Sequence, residues 1–385
     1  MITSKQTPRV AEFFAGIGLM RAGLERSGWE VAFANDIDPT KRRQYLYNFK
    51  NSENHFHLGD VHQLNAKNVP DIELATASFP CTDLSLAGKR AGLLGKQSSA
   101  FWGFINILKN MKERRPPLIL LENVAGFLTS NNGEDFQSAL LALNKLGYAV
   151  DAFIVDAAHF VPQSRVRLFI VGKQHSSGLN DSVDYFEESE LRPTKLRDFI
   201  CDHPEIDWNI NFNLPKLPRL NMTLNEIVER IPKSSKEWWS EERVKYLLRQ
   251  TFERHLNKVL ELKKANKYTY LTAFRRVRNA KSMAEIRFDG IAGCLRTPKG
   301  GSARQILLEV GKGEINIRLL TPKECAKLMG ADNFRISGTV NEALFGFGDA
   351  VCVPVVSWIS KHYLKRELNP LDKKELQYEK FAQSA

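Results

Sequence analysis

Cys81 is the residue of this chain best placed to act as a nucleophile. It follows Ser78-Phe79-Pro80, directly behind the apolar run Ile72 to Ala77. A second apolar run, Leu118 to Leu121, ends in Glu122-Asn123-Val124. Both runs read as buried strands of an α/β sheet, and such sheets bind ligands in the crevice beyond the carboxyl ends of their strands. A thiol and an acid at two such ends have the layout of an active site. The thiolate is the reactive species, so Cys81 needs a lowered pKa or a nearby base, and Pro80, with its φ fixed, limits the approach. A lone cysteine at a strand end is more often a small buried hydrophobe; the company of Glu122 lifts this one. Glu122, behind four apolar residues, is costly to bury ionised, which predicts a raised pKa and a proton-donating role. A third cluster, Gln163-Ser164-Arg165-Val166-Arg167, enters the run Leu168–Val171, and its alternation predicts that Gln163, Arg165 and Arg167 share one face of a strand.

A separate set of residues has the makings of a cofactor site. Glu12-Phe13-Phe14-Ala15-Gly16-Ile17-Gly18 reads as a strand running into a glycine turn, where backbone can approach a ligand closely. A dinucleotide fingerprint wants a third glycine three residues after Gly18, but Arg21 stands there, which counts against a diphosphate. Asp36, 18 residues beyond Gly18, has the spacing of an acid that takes ribose hydroxyls. Asp60, after Gly59 at the end of a third short strand, could accept from an adenine amino group. Gly16 and Gly18 alone would suggest only tight strand-to-helix packing; the two acids shift the reading to a nucleoside without a diphosphate, such as S-adenosylmethionine.

The elements that must position these groups follow from the pattern of the first part of the chain. Short apolar runs at Val10–Phe14, Val31–Ala34, Ile72–Ala77, Leu118–Leu121, Phe153–Val155 and Leu168–Val171 alternate with amphipathic segments, among them Ala100 to Met111 and Phe136 to Leu146. Such alternation predicts a mostly parallel sheet wrapped by helices. After Gly172 the texture becomes polar and then basic. Between Lys233 and Asp289 there are about 15 Lys or Arg against about 7 acids, which suggests a separate docking domain. Regular patterning resumes around Arg318, where Thr321-Pro322-Lys323-Glu324 marks a helix start and Ala350 to Ile359 a last apolar element; the stretch after Leu368 reads as a charged tail.

With 385 residues, 43% of them hydrophobic, the chain can bury a large core. Its net charge of +11 is the electrostatic footprint of a nucleic-acid partner. The five cysteines have no short paired spacing, which argues against a zinc cluster or a disulfide framework and leaves Cys81 free as a thiol. Nothing at the start reads as a signal peptide and no apolar run approaches the roughly 18 residues of a membrane span, so no membrane partner and no metal are expected and the expected location is cytoplasmic.

Five motifs in order make the chain resemble the DNA (cytosine-5) methyltransferases of the bacterial restriction-modification type. They are the glycine turn at Phe14 to Gly18, Pro80-Cys81, Glu122-Asn123-Val124, Gln163-x-Arg165-x-Arg167, and Arg318-Leu319-Leu320-Thr321-Pro322-Lys323-Glu324. The resemblance spans Val10 to Ile359. It implies an α/β fold whose mostly parallel twisted sheet is of the S-adenosylmethionine-dependent methyltransferase, Rossmann-like type, with a second, smaller DNA-recognition domain. The expected bounds are 1–172 for catalysis and cofactor, 173–332 for target recognition and 333–385 for a segment returning to the catalytic domain. It also implies that a cytosine is flipped out of duplex DNA, since an enzyme cannot reach a ring atom inside the stack. Carried onto this chain, Cys81 adds to cytosine C6, Glu122 supplies the proton and hydrogen bonds at the N3 side, and Arg165 holds the base oxygen, with Pro80 and Asn123 beside them. Phe14, Gly16, Gly18, Asp36, Ile37, Asp60 and Pro80 form the cofactor site.

Three departures from the family pattern stand out. Thr82, followed by Asp83-Leu84-Ser85, replaces the common glutamine after Pro80-Cys81; Asp36 stands where glutamate is usual; and Gly348-Asp349-Ala350-Val351 stands where glycine is generally followed by asparagine. The family's target-recognition segment coincides with the basic region found from charge alone. Arg167, Gln163, Ser85, Arg275, Arg276, Arg304 and Gln305 are the candidate DNA contacts, with Arg304 and Gln305 able to read guanine and adenine edges. Double-stranded DNA is the expected partner of a monomeric, nucleoid-associated enzyme, and any cognate restriction endonuclease would be a separate protein. The competing readings are RNA cytosine methylation, against which the long basic region argues, a catalytically silent DNA-binding regulator, and a nicotinamide-dependent dehydrogenase, which Arg21 disfavours.

Overall fold

The structure is a computed structural model, which describes residues 7–80, 100–174, 186–278, 281–297 and 304–368. Two compact units divide the chain: 1–155, 166–216 and 355–385 form the first, and 156–165 with 217–354 the second.

The first unit is built on strands β1 (Arg9–Phe13), β2 (Glu30–Asp36), β3 (Phe56–Leu58), β4 (Leu74–Ala77), β5 (Leu118–Val124), β6 (Tyr148–Asp156) and β7 (Val166–Gln174). Their order across the sheet is β3-β2-β1-β4-β5-β7-β6. The pairs β1·β2, β1·β4, β2·β3 and β4·β5 are parallel, while β7 runs antiparallel to β5. The order reverses at β1 and β4, which is where an open sheet of this kind opens its ligand crevice. Helices α1 (Leu19–Glu25), α2 (Pro39–Asn48), α3 (Ala100–Met111) and α4 (Glu134–Lys145) connect the strands.

The central strands carry long apolar runs because both sheet faces are covered. Leu118 to Leu121 are all at most 1% exposed, and Ile119 and Leu121 join Phe101, Phe104, Phe127 and Phe136 in one continuous core. Helix α3 places Phe101, Phe104, Ile107, Leu108 and Met111 on that core, the i, i+3, i+4 spacing of an amphipathic helix.

The unit boundaries depart from the expected breaks at 172 and 332. The first unit runs on through α5 (Thr194–Asp202) to residue 216, because Val150 donates to the Asp207 carbonyl at 2.9 Å and buried Arg192 pairs with buried Asp151 at 2.7 Å. After that come short α6 (Leu224–Ile227), then α7 (Glu241–Arg249) and α8 (Glu253–Lys263). The second unit is centred on an antiparallel sheet of β8 (Thr269–Arg278), β9 (Lys281–Arg287), β10 (Ile306–Gly311) and β11 (Glu314–Leu319), in the order β11-β10-β8-β9. Leu271, Ala273, Ala284, Ile286, Leu308 and Ile317 form its core with Leu247 and Val259 of α7 and α8. The unit continues to residue 354 through α9 (Pro322–Leu328) and α10 (Val340–Asp349), and α11 (Val353–Ile359) begins at its end. The expected helix start at Thr321 is present as a full capping box, Thr321 with Glu324.

Candidate active site

Strand β1 ends in the glycine turn. Phe14 and Gly16 both adopt φ 58°, and Gly18, at φ 88°, is the N-cap of α1. A left-handed phenylalanine is strained, and strain of this kind collects at ligand sites. Gly18 is obligatory on a second count: a Cβ there would lie 2.3 Å from the Phe49 ring.

The turn is tied to the end of β2 by Asp36. Its Oδ2 accepts from the Gly16 amide at 2.8 Å and its Oδ1 from the Asp38 amide at 2.9 Å. Asp36 is buried, and burial pushes its carboxyl above the usual range, against the pull of Lys41 and these two amides. Asn35 donates to the carbonyls of His57 and Gly59 and so fixes the end of β3, where Asp60 caps a short helix by accepting from the His62 amide. Ile37, next to buried Asp36, is 66% exposed, an apolar side chain left uncovered. Among the described residues, a Cβ at Gly16 would approach nothing closer than the Phe14 carbonyl at 3.9 Å. A strained turn, an anchored carboxylate and an uncovered aliphatic side chain fit a nucleoside such as that of S-adenosylmethionine.

Arg21, the residue that breaks the dinucleotide fingerprint, is folded under this turn. Its guanidinium lies over the Phe49 ring at 4.4 Å, pairs with Glu25 at 2.7 Å and donates to the Tyr45 hydroxyl at 3.4 Å, and that hydroxyl donates to buried Glu12 at 2.7 Å. Burial raises the Glu12 carboxyl to about 7, opposed by Tyr45 and Arg21. Burial and then Arg21 lower His55 to about 4, so its neutral ring nitrogen can accept from the guanidinium. The positional oddity of Arg21 was the only sequence signal for this network.

The ends of β4 and β5 hold the other expected groups. Phe79 is buried against Phe101 and Phe127, and the Asn123 side chain donates to its carbonyl at 3.4 Å, which couples the two strand ends and leaves Pro80 exposed. Cys81 and Ser85 lie outside the described residues. Glu122, 6% exposed, meets Arg167: Nε lies 3.0 Å from Oε1. The antiparallel register explains the pair, since Arg167 opposes Val124, and Glu122 is its diagonal neighbour on the same face.

The arginine expected at the base oxygen needs correction. Arg165 is 2% exposed, and its guanidinium donates to the carbonyls of Leu295 (2.9 Å), Gly348 (3.0 Å) and Ala350 (2.5 Å) and to the Cys294 sulfur (3.3 Å). It is a strut inside the second unit. Strand β7 begins only at Val166, so Gln163, Arg165 and Arg167 do not share a strand face. Gln163, expected at DNA, is fully buried and bridges the Leu328 carbonyl (2.7 Å) and the Leu295 amide (2.9 Å). Gln305, expected to read adenine, is 7% exposed with its amide turned to the Cys294 carbonyl, so it cannot reach a base edge as it stands. Arg304 donates to the Asn341 side chain, Arg275 is half-buried near Trp239, and Arg276 is exposed, 4.0 Å from Glu285.

A mostly parallel sheet with a glycine turn over an anchored acid has the fold and the cofactor-site layout of S-adenosylmethionine-dependent methyltransferases. The chain belongs to the C-5 cytosine-specific DNA methylase family, whose pattern matches residues 8–365. It is 28% identical over 364 residues to the Type II methyltransferase M.DsaV of Dactylococcopsis salina, covering 94% of this chain and 87% of that one. It is 26% identical to M.HhaI of Haemophilus parahaemolyticus, covering 91% and 93%. Among solved structures, the fold is similar to that of the S. pombe Dnmt2 methyltransferase, with TM-score 0.58, 20% identity and coverage of 94% of this chain and all of that one. It is also similar to a putative DNA modification methyltransferase from an E. coli prophage, with TM-score 0.54 and 19% identity. The protein is a DNA (cytosine-5) methyltransferase with S-adenosylmethionine as its methyl donor.

Proposed function

We propose that Cys81, Glu122 and Arg167 carry out the chemistry, with Arg167 taking the place first assigned to Arg165. The observation that carries this is the Glu122–Arg167 pair at 3.0 Å, a carboxyl and a cation joined where β5 ends and β7 begins, β5 being a neighbour of the strand that leads into Pro80. The cofactor supplies an electrophilic methyl group. The Cys81 thiolate forms a bond to C6 of a flipped cytosine, Glu122 hydrogen-bonds and protonates the N3 edge, and the Arg167 guanidinium offsets charge on the ring. C5 thereby becomes nucleophilic. Once it carries the methyl group it loses its proton to water, the C6–sulfur bond breaks to release the Cys81 thiolate, N3 returns its proton to Glu122 and the ring regains aromaticity. Phe14, Gly16, Asp36, Ile37 and Asp60 hold the cofactor, and the basic part of the second unit takes the duplex.

By likeness to its Type II relatives, the protein modifies one specific duplex sequence as the protective half of a restriction-modification system, as a monomer in the cytoplasm at the nucleoid, with any endonuclease a separate chain. On duplexes carrying 5-fluorocytosine, where fluorine cannot leave as a proton does, the wild type should accumulate an adduct that mass spectrometry maps to Cys81. Cys81→Ser should form none and lose methyl transfer by several orders of magnitude while still binding DNA. An adduct mapped to another residue would overturn the assignment.

A further inference from the structure

Strands β8 and β9 form a two-stranded ribbon at one edge of the second unit's sheet, since β8 is the one described strand that β9 pairs with. The ribbon is pinned at its base and uncovered towards its end. Leu271 and Ala273 of β8, with Ala284 and Ile286 of β9, are buried in the core, and the Ala284 amide is held by the Gln250 carbonyl at 2.9 Å. Three and four residues beyond Ala273, Arg276 is exposed and Val277 is 70% exposed, the highest exposure of any large hydrophobic side chain described. In the ladder Arg276 pairs with Met283 and Val277 with exposed Ser282, so Val277 continues the line of the core face past the point where the core ends.

An apolar side chain left bare among cations asks for a partner that is anionic at its edges and apolar at one point. Arg275 and Arg276 precede the valine on β8, and Lys281 stands next to its ladder partner Ser282 on β9. The major groove of duplex DNA fits this description. It admits a two-stranded β-ribbon, its walls are phosphate, and its one apolar feature is the 5-methyl group of thymine.

We propose that the β8–β9 ribbon enters the major groove and that Val277 reads a thymine methyl within the recognised sequence. Arg276 and Lys281 meet the flanking phosphates and fix the depth of entry. This deepens the reading of the protein as a duplex-specific methyltransferase and rests on it. The target sequence therefore contains at least one thymine on either strand.

The test uses the full-length protein and starts from its target, read out by sequencing methylated cytosines in DNA from expressing cells. In synthetic duplexes each thymine of that target is replaced in turn by deoxyuridine, which removes only the methyl group. The wild type should lose about four-fold in kcat/KM at one position, the worth of burying a single methyl-sized group, and be indifferent at the others. Val277→Ala, at an exposed site with little bearing on folding, should methylate the thymine and deoxyuridine duplexes equally, at the rate of the wild type on deoxyuridine. Three outcomes overturn the proposal: a target without thymine, no wild-type discrimination at any position, or discrimination that survives in Val277→Ala. Failure of the wild type to methylate even the unmodified duplex would instead strike at the methyltransferase reading, so the two failures are distinguishable.

Discussion

Two arginine–carboxylate pairs, one in each unit, put the same chemistry to opposite uses. In the second unit Arg318 and Glu324 are both fully buried and meet fork to fork, Nη1 to Oε2 at 2.7 Å and Nη2 to Oε1 at 2.5 Å. The carboxylate also accepts from the amides of Thr321 and Glu229, each at 2.8 Å, and the guanidinium donates to the carbonyls of Leu319 and Glu229. In the first unit Glu122 and Arg167 meet through Nε and Oε1, with side chains 7% and 15% exposed, at the ends of two strands. A bidentate pair sealed on all sides fixes the register of a helix start. A pair that retains some exposure at a strand end stands where a substrate can reach it. The Arg318 to Glu324 motif, which the family resemblance marks as strongly as the catalytic ones, is thus a structural device.

The sharpest way to break this contrast is to remove one arginine from each pair. Arg318→Ala leaves Glu324 buried without its cation and should lower the unfolding free energy by about 3–5 kcal/mol, measured by denaturant titration. Arg167→Ala should lower the single-turnover methylation rate by the equivalent of about 2–4 kcal/mol, with a smaller loss of stability than Arg318→Ala. Arg165→Ala, which removes four donor contacts inside the second unit, should resemble Arg318→Ala in losing stability first. Equal stability losses in Arg167→Ala and Arg318→Ala, with the chemical step of Arg167→Ala intact, would make both pairs structural.

The course of the sheet was legible in the sequence because parallel strands buried on both faces must be continuous apolar runs. All six expected runs fall within or beside observed strands; Asp36 closes β2 and Asp60 lies just past β3, whereas Glu122 lies inside β5, two residues before its end. The antiparallel direction of β7 was not legible, since an apolar run carries no direction. The second unit's sheet was hidden for a different reason: its strands mix core residues such as Leu271 and Ala273 with the exposed cations of the ribbon, and the charge masks the alternation. The reading of Gln163-x-Arg165-x-Arg167 failed because a two-residue period says nothing about where a strand begins. With β7 starting at Val166, two of the three side chains are used to brace the second unit. Gln305 failed likewise, because a polar residue next to an arginine reads as surface until its burial is known.

A third buried carboxylate, Glu12, extends the comparison at the smaller end of the scale. It is 1% exposed, and the Tyr45 hydroxyl and the Arg21 backbone both hydrogen-bond to it, which opposes the effect of its burial. Unlike Glu122 and Glu324 it is paired with no guanidinium among the described contacts, and burial raises it from 4.5 to about 7. A carboxyl whose folded pKa lies above its unfolded value binds more protons folded than unfolded between the two, so the stability it permits at low pH declines as pH rises from about 4.5 through about 7. Glutamine keeps the shape and an acceptor for Tyr45 without ever ionising. Glu12→Gln should therefore match the wild type near pH 4.5 and exceed it by roughly 2 kcal/mol at pH 8, after discounting the full shift for relaxation around the buried group. Unfolding curves for the two proteins across that range decide it. A difference independent of pH would mean that Glu12 stays ionised when folded, held by Arg21 across Tyr45, and would move it into the same class as the sealed pair.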